Sequence, residues 1–97
     1  MEKDKIILDL VEKLKSLENF SQLQFADYWD ADLCSFGLKT ESRLIYISGY
    51  NYAEDETQKY DYNLELDYDK NPGQTYKSVS GVTSDELITA LRNFFNI

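Results

Sequence analysis

The sequence predicts an α+β domain, an antiparallel sheet of four to five strands with an N-terminal and a C-terminal helix packed on one face. Three observations carry that expectation. Helical periodicity is confined to the two ends of the chain, period-two alternation fills the middle, and the connections between the alternating runs are short. Ninety-seven residues fit one domain spanning 1–97, and by size scaling such a chain buries roughly 60–65% of its unfolded surface.

In chain order, Ile6, Ile7, Leu10, Val11, Leu14 and Leu17 recur at three- and four-residue steps, which predicts a helix over 3–17 with one apolar stripe. Asp4 is the candidate cap and Asn19 the candidate stop. After Phe20 the period changes: Leu23 and Phe25 alternate with Gln22 and Gln24 in a first strand ending near Tyr28. Asp27, Asp30 and Asp32 mark a turn, and Leu33 to Leu38 is the second strand, with Gly37 read as a bulge.

Arg43 to Tyr52 is the third strand, apolar on both parities through Leu44, Ile45, Tyr46 and Ile47. Its orientation stays open. Either Ile45 and Ile47 face the helices, and Tyr46, Tyr50 and Tyr52 share the other face, or the tyrosines join the core. Glu54, Asp55 and Glu56 form an exposed hairpin tip. In the fourth strand, about Gln58 to Tyr68, the residues Tyr60, Tyr62, Leu64, Leu66 and Tyr68 hold the core parity, while Asp61, Asn63, Glu65 and Asp67 face outward.

Asn71-Pro72-Gly73 reads as a type II turn. Thr75 to Val82 is a weaker fifth strand at an edge. Thr83-Ser84-Asp85-Glu86 reads as a capping box opening the last helix, with Val82 placed to pack on Leu87, and Leu87, Ile88, Leu91, Phe94 and Phe95 give that helix its apolar face.

Composition narrows the chemistry. Eighteen acidic against ten basic residues give a net charge of −8, which disfavours nucleic acid and anionic membranes and favours a cationic partner. Histidine is absent, so imidazole-based catalysis and the commonest transition-metal ligand are missing. Cys34 stands alone and forms no intramolecular disulfide, which fits a reducing cytoplasm, and its setting is that of a buried inert thiol. The opening residues lack a secretory pattern, and no apolar run approaches a membrane span.

Asp67-x-Asp69-x-Asn71 resembles the start of a calcium loop, but glycine falls one position late and Ser78 stands where the closing glutamate belongs. Carboxylate-pair catalysis through Asp61, Glu65 and Asp67 needs a pocket that a small two-layer sheet rarely provides. The reading is therefore a binding module and not an enzyme, with no cofactor and no metal. Its candidate partner-binding residues are Tyr46, Tyr50, Tyr52, Glu54, Asp55, Glu56, Asp61, Glu65 and Asp67, since tyrosine supplies contact area and carboxylates meet lysine and arginine.

In size, charge, lack of histidine and acidic-aromatic strands, the chain resembles the small immunity proteins of bacterial contact-dependent inhibition and related polymorphic toxin systems. The segments TSDELITALRNFF and KYDYNLELDYD carry that likeness. It implies a cytoplasmic protein that binds a basic toxin nuclease domain and occludes its cationic active site, the carboxylates standing in for phosphates. Two alternatives remain open from sequence: a phage-type inhibitor that mimics DNA, and an adaptor or structural protein that forms a homodimer through the fifth strand.

Overall fold

The computed structural model describes residues 5–26, 34–40, 42–52, 58–66 and 75–97. Helix α1 spans Lys5–Lys15 and is followed by a 3-10 turn over Phe20–Gln22. Strands β1 (Gln24–Ala26), β2 (Ser35–Lys39), β3 (Arg43–Ser48), β4 (Lys59–Leu66) and β5 (Thr75–Thr83) precede helix α2 (Ser84–Phe95), and a second 3-10 turn over Tyr50–Tyr52 lies between β3 and β4. The strands form one antiparallel sheet in the order β1-β2-β3-β4-β5, so every strand pairs with its neighbour in sequence. This is the α+β meander expected from the short connections.

Both helices lie on one face. Ile6, Ile7, Leu10, Val11 and Leu14 of α1 and Leu87, Leu91 and Phe95 of α2 share a single buried cluster with Phe36, Leu38, Ile45, Ile47, Tyr60, Tyr62 and Leu64. The sheet residues in this list occupy one parity of their strands, because Phe36 is opposite Ile47 and Ile47 is opposite Tyr62. Each fully buried aliphatic or aromatic side chain contributes roughly 1.5–3 kcal/mol of transfer free energy.

Polar contacts hold the layers in register. The Tyr60 hydroxyl donates to the Ile6 carbonyl at 2.7 Å, and Lys13 Nζ donates to Ser84 Oγ at 2.7 Å, joining the helices. Asp9 accepts from Lys5 and Gln58, each at 2.7 Å, and these bonds hold its carboxyl below the usual carboxylate range. Arg43 stacks on Phe94, 5.7 Å from the ring centroid, and donates to the Phe94 carbonyl, pinning the start of β3 to the end of α2.

Helix α2 has the start read from its sequence. The Thr83 hydroxyl accepts from the Glu86 N–H at 3.2 Å, while the Glu86 carboxylate accepts from the Thr83 N–H at 3.0 Å. The helix stops at Asn96, whose left-handed conformation (φ 59°) is one asparagine tolerates. Thr83→Ala should lower the free energy of unfolding by about 1 kcal/mol, read from urea denaturation. The Thr83 N–H, and then its hydroxyl, hold the Glu86 carboxyl below its ordinary value of 4.5. This stabilisation is full above that ordinary value and fades as pH falls through the lower folded value, so the acid limb of the melting profile should flatten in Glu86→Gln.

Several boundaries differ from expectation. Helix α1 closes at Lys15; Leu17 lies in the turn behind it, its N–H bonded to the Leu14 carbonyl at 3.0 Å. Asn19 stands at the head of the 3-10 turn, without a side-chain cap bond, instead of stopping the helix, and Asp4 lies outside the described residues. Strand β1 is three residues long, and Gly37 sits in regular register between Ala26 and Tyr46, so it makes no bulge. Leu66, assigned to the core by parity, is 37% exposed at the last residue of β4, where it pairs with Arg43. Tyr68 and the Asn71-Pro72-Gly73 turn are outside the described residues.

The third strand departs most. It ends at Ser48, and the chain then coils into the 3-10 turn carrying Tyr50 and Tyr52. Ser48 Oγ accepts the Tyr50 N–H at 3.2 Å, and the Gly49 N–H is taken by the Cys34 carbonyl at 2.8 Å. Gly49 packs against α1: a Cβ there would stand 3.3 Å from Ile6 Cγ2, tighter than most such contacts, and at an ordinary 3.5 Å from Ile7 Cδ1. The approach of α1 to a glycine, together with capture of the next N–H by a serine, takes the chain out of the ladder.

Candidate functional site

The site is built from the outward parity of β4 and the 3-10 turn that follows β3. On β4 the burial alternates as the sequence indicates: Tyr60, Tyr62 and Leu64 are buried, while Asp61, Asn63 and Glu65 are half-buried on the opposite face. Register carries that face across the sheet. Asp61 stands opposite Ser48, Asn63 opposite Tyr46, and Glu65 opposite Leu44. The open orientation of β3 is thereby decided, with Ile45 and Ile47 fully buried under the helices and Tyr46 on the other side.

That second face is not a bare acidic plane. Ser35, Gly37 and Leu44 are buried there although they are outside the helix-side cluster. Tyr46 starts opposite Gly37 and places its hydroxyl 2.6 Å from Ser35 Oγ, so the phenol leans along β2 in a cross-strand contact. Its role is to cover the sheet, and it is half-buried.

Asp61 has an internal task. Between Tyr60 and Tyr62 the β4–β5 register shifts, so that Ser80 and Gly81 together oppose Asp61 in a bulge. Gly81 adopts φ +70°, a conformation glycine enters without a Cβ penalty. Asp61 Oδ1 accepts the Gly81 N–H at 3.1 Å and the Tyr52 hydroxyl at 2.8 Å. One carboxylate thus ties the bulge of β5 to the 3-10 turn. Asp61→Ala should cost about 1–2 kcal/mol and speed exchange of the Gly81 amide, whereas Asp61→Asn, which keeps an acceptor, should cost less.

Tyr52 is correspondingly an anchor: half-buried, packed against the core and bonded to Asp61. Tyr50 is the aromatic of this turn that reaches solvent, 74% exposed on a backbone fixed at both ends. The expectation that Tyr46, Tyr50 and Tyr52 share one strand face is therefore corrected. Only Tyr46 is on the strand, and the turn separates the other two into an exposed and an internal ring. Glu54, Asp55, Glu56 and Asp67 lie outside the described residues.

Sequence reasoning passed over Ser48, the capturing hydroxyl, and Tyr76, which is 64% exposed on β5. Gly81 left a legible sign, since a single glycine inside a strand marks a bulge. Among the described residues no group of three metal-binding side chains converges, and no helix is long and apolar enough to cross a membrane. A cleft of about 310 Å³ lies along the end of α2, lined by Ile88, Thr89, Arg92, Asn93, Asn96 and Ile97, on the helix side of the sheet from Asp61 and Glu65. A scan of protein-family models and searches of curated proteins and of solved structures gave no match to this chain.

Proposed function

We propose that the chain is an acidic protein-binding module without catalytic activity, and that it is an immunity protein acting in the cytoplasm to occlude the cationic active site of a toxin nuclease. The observation that carries this reading is the pairing of an outward carboxylate parity on β4, on the face without helices, with Tyr50 held exposed on a tied turn. Net charge supports it, since a surplus of eight negative charges draws a basic domain at rates that fall with ionic strength. A pre-set tyrosine offers contact area at low entropic cost, and its face attracts an ammonium or guanidinium group.

Co-expression tests the reading. The product of the open reading frame immediately upstream should be a basic domain that is toxic alone, harmless when this chain is present, and recovered with it as a complex. Toxicity unrelieved by this chain would sink the immunity assignment. Relief of a phage-restricting host nuclease instead would move the same surface to DNA mimicry.

A further inference from the structure

The outer edge of β5 is the longest strand edge in the structure, nine residues with no strand beyond it among the described residues. All of them except Val79 and Val82 are exposed. We propose that this edge accepts an extended, cationic segment of the partner as a sixth strand. The inference rests on the cationic-partner reading and adds how that partner is held.

An edge strand presents alternate N–H and C=O groups that an incoming strand satisfies, and side chains on alternate positions then set specificity. In a chain with eighteen carboxylates, β5 carries none, and its one charge, Lys77, stands opposite Leu64 on the helix side. On the other side Thr75 stands opposite Glu65 and Ser78 opposite Asn63. Short hydroxyl side chains therefore separate the acidic parity of β4 from an added strand, whose backbone would run about 10 Å from β4, two strand spacings away. Lysine or arginine on that strand can lean over Thr75 and Ser78 toward Glu65.

The occupant is a flexible segment and not a second copy. Two irregularities interrupt β5, one where Tyr76 is left over between the Leu64 and Glu65 pairings and one at Ser80–Gly81. Bulges sharpen the twist of an edge and discourage flat pairing with a rigid strand. Two-fold pairing of β5 with itself would set one bulge against the other and bring together two bodies of charge −8. A flexible segment follows the twist.

The test is amide hydrogen exchange of the full chain with two peptides, one alternating valine with lysine and one alternating valine with glutamate. The lysine peptide should slow exchange of the β5 amides several-fold, less so at high salt, and Ser78→Lys should remove most of that protection while leaving the melting temperature unchanged. Equal protection by the glutamate peptide would overturn the proposal. So would binding of the lysine peptide that leaves the β5 amides unprotected, though the cationic-partner reading would then stand. Protection that rises with protein concentration without peptide would assign the edge to a second copy. If neither peptide binds, strand addition fails, and co-expression still decides the cationic-partner reading separately.

Discussion

Replacing Tyr60 with alanine should remove about 3–5 kcal/mol of stability, the cost of truncating a large buried aromatic. That is a large share of the roughly 5–15 kcal/mol available to a domain of this size. Tyr60 is fully buried at the middle of the helix-side cluster, and its hydroxyl satisfies the Ile6 carbonyl. The alanine variant both opens a cavity and orphans that acceptor. Tyr60→Phe separates the two effects: it keeps the ring, so the loss should shrink to about 1 kcal/mol.

The same residue governs alkaline stability. Burial, and then the negative charge of Asp9, push the Tyr60 phenol from its ordinary 10 up to about 12. Below pH 10 the phenol is neutral in both states and its stabilisation is complete. Between 10 and about 12 the unfolded chain loses the proton first, so stability falls as pH rises. Burial likewise raises the Tyr62 phenol. Urea titrations from pH 7 to 11 should show a steep alkaline limb in the wild type and a shallower one in Tyr60→Phe.

Tyr50→Ala should weaken the complex with a basic partner by at least about 2 kcal/mol, or roughly thirty-fold, the magnitude of an interface hot spot. At 74% exposure its loss should change folding stability by less than about 0.5 kcal/mol. The contrast with Asp61 follows from their contacts. Asp61 is bonded to Gly81 and Tyr52, so its removal disturbs the turn that presents Tyr50 and weakens folding and binding together. A surface test therefore uses Tyr50→Ala and Glu65→Gln, with Asp61→Asn as a variant whose stability is measured first.

The readable parts of the fold were those set by local chemistry. Thr83 and Glu86 lie three residues apart and close a capping box whatever packs around them, and the parity of β4 follows from strict alternation at Tyr60, Asp61, Tyr62, Asn63 and Leu64. The end of β3 was hidden because it depends on contacts a strand pattern does not show: Gly49 meets Ile6 and Ile7 of α1, and Ser48 Oγ takes the Tyr50 N–H. A run of tyrosines two residues apart reads as strand until those contacts are known.

The internal bonds of Asp61 were hidden for a related reason. Period two correctly turns it away from the helices, but a strand pattern cannot reveal that the neighbouring strand bulges and leaves the Gly81 N–H for it to bind. Outward on a strand and available to a partner are different conditions. The candidate site thus keeps Tyr50 as its exposed ring and Glu65 half-buried on the outward parity of β4, while Tyr46 covers β2 and Tyr52 and Asp61 position the turn.

The central claim, an acidic surface that captures a cationic protein, is tested most directly by the affinity of the upstream-encoded basic domain for this chain as a function of salt. Affinity should fall steadily as salt rises, and Glu65→Gln should make the dependence shallower. Affinity that is independent of salt and unchanged in both Glu65→Gln and Tyr50→Ala would contradict it.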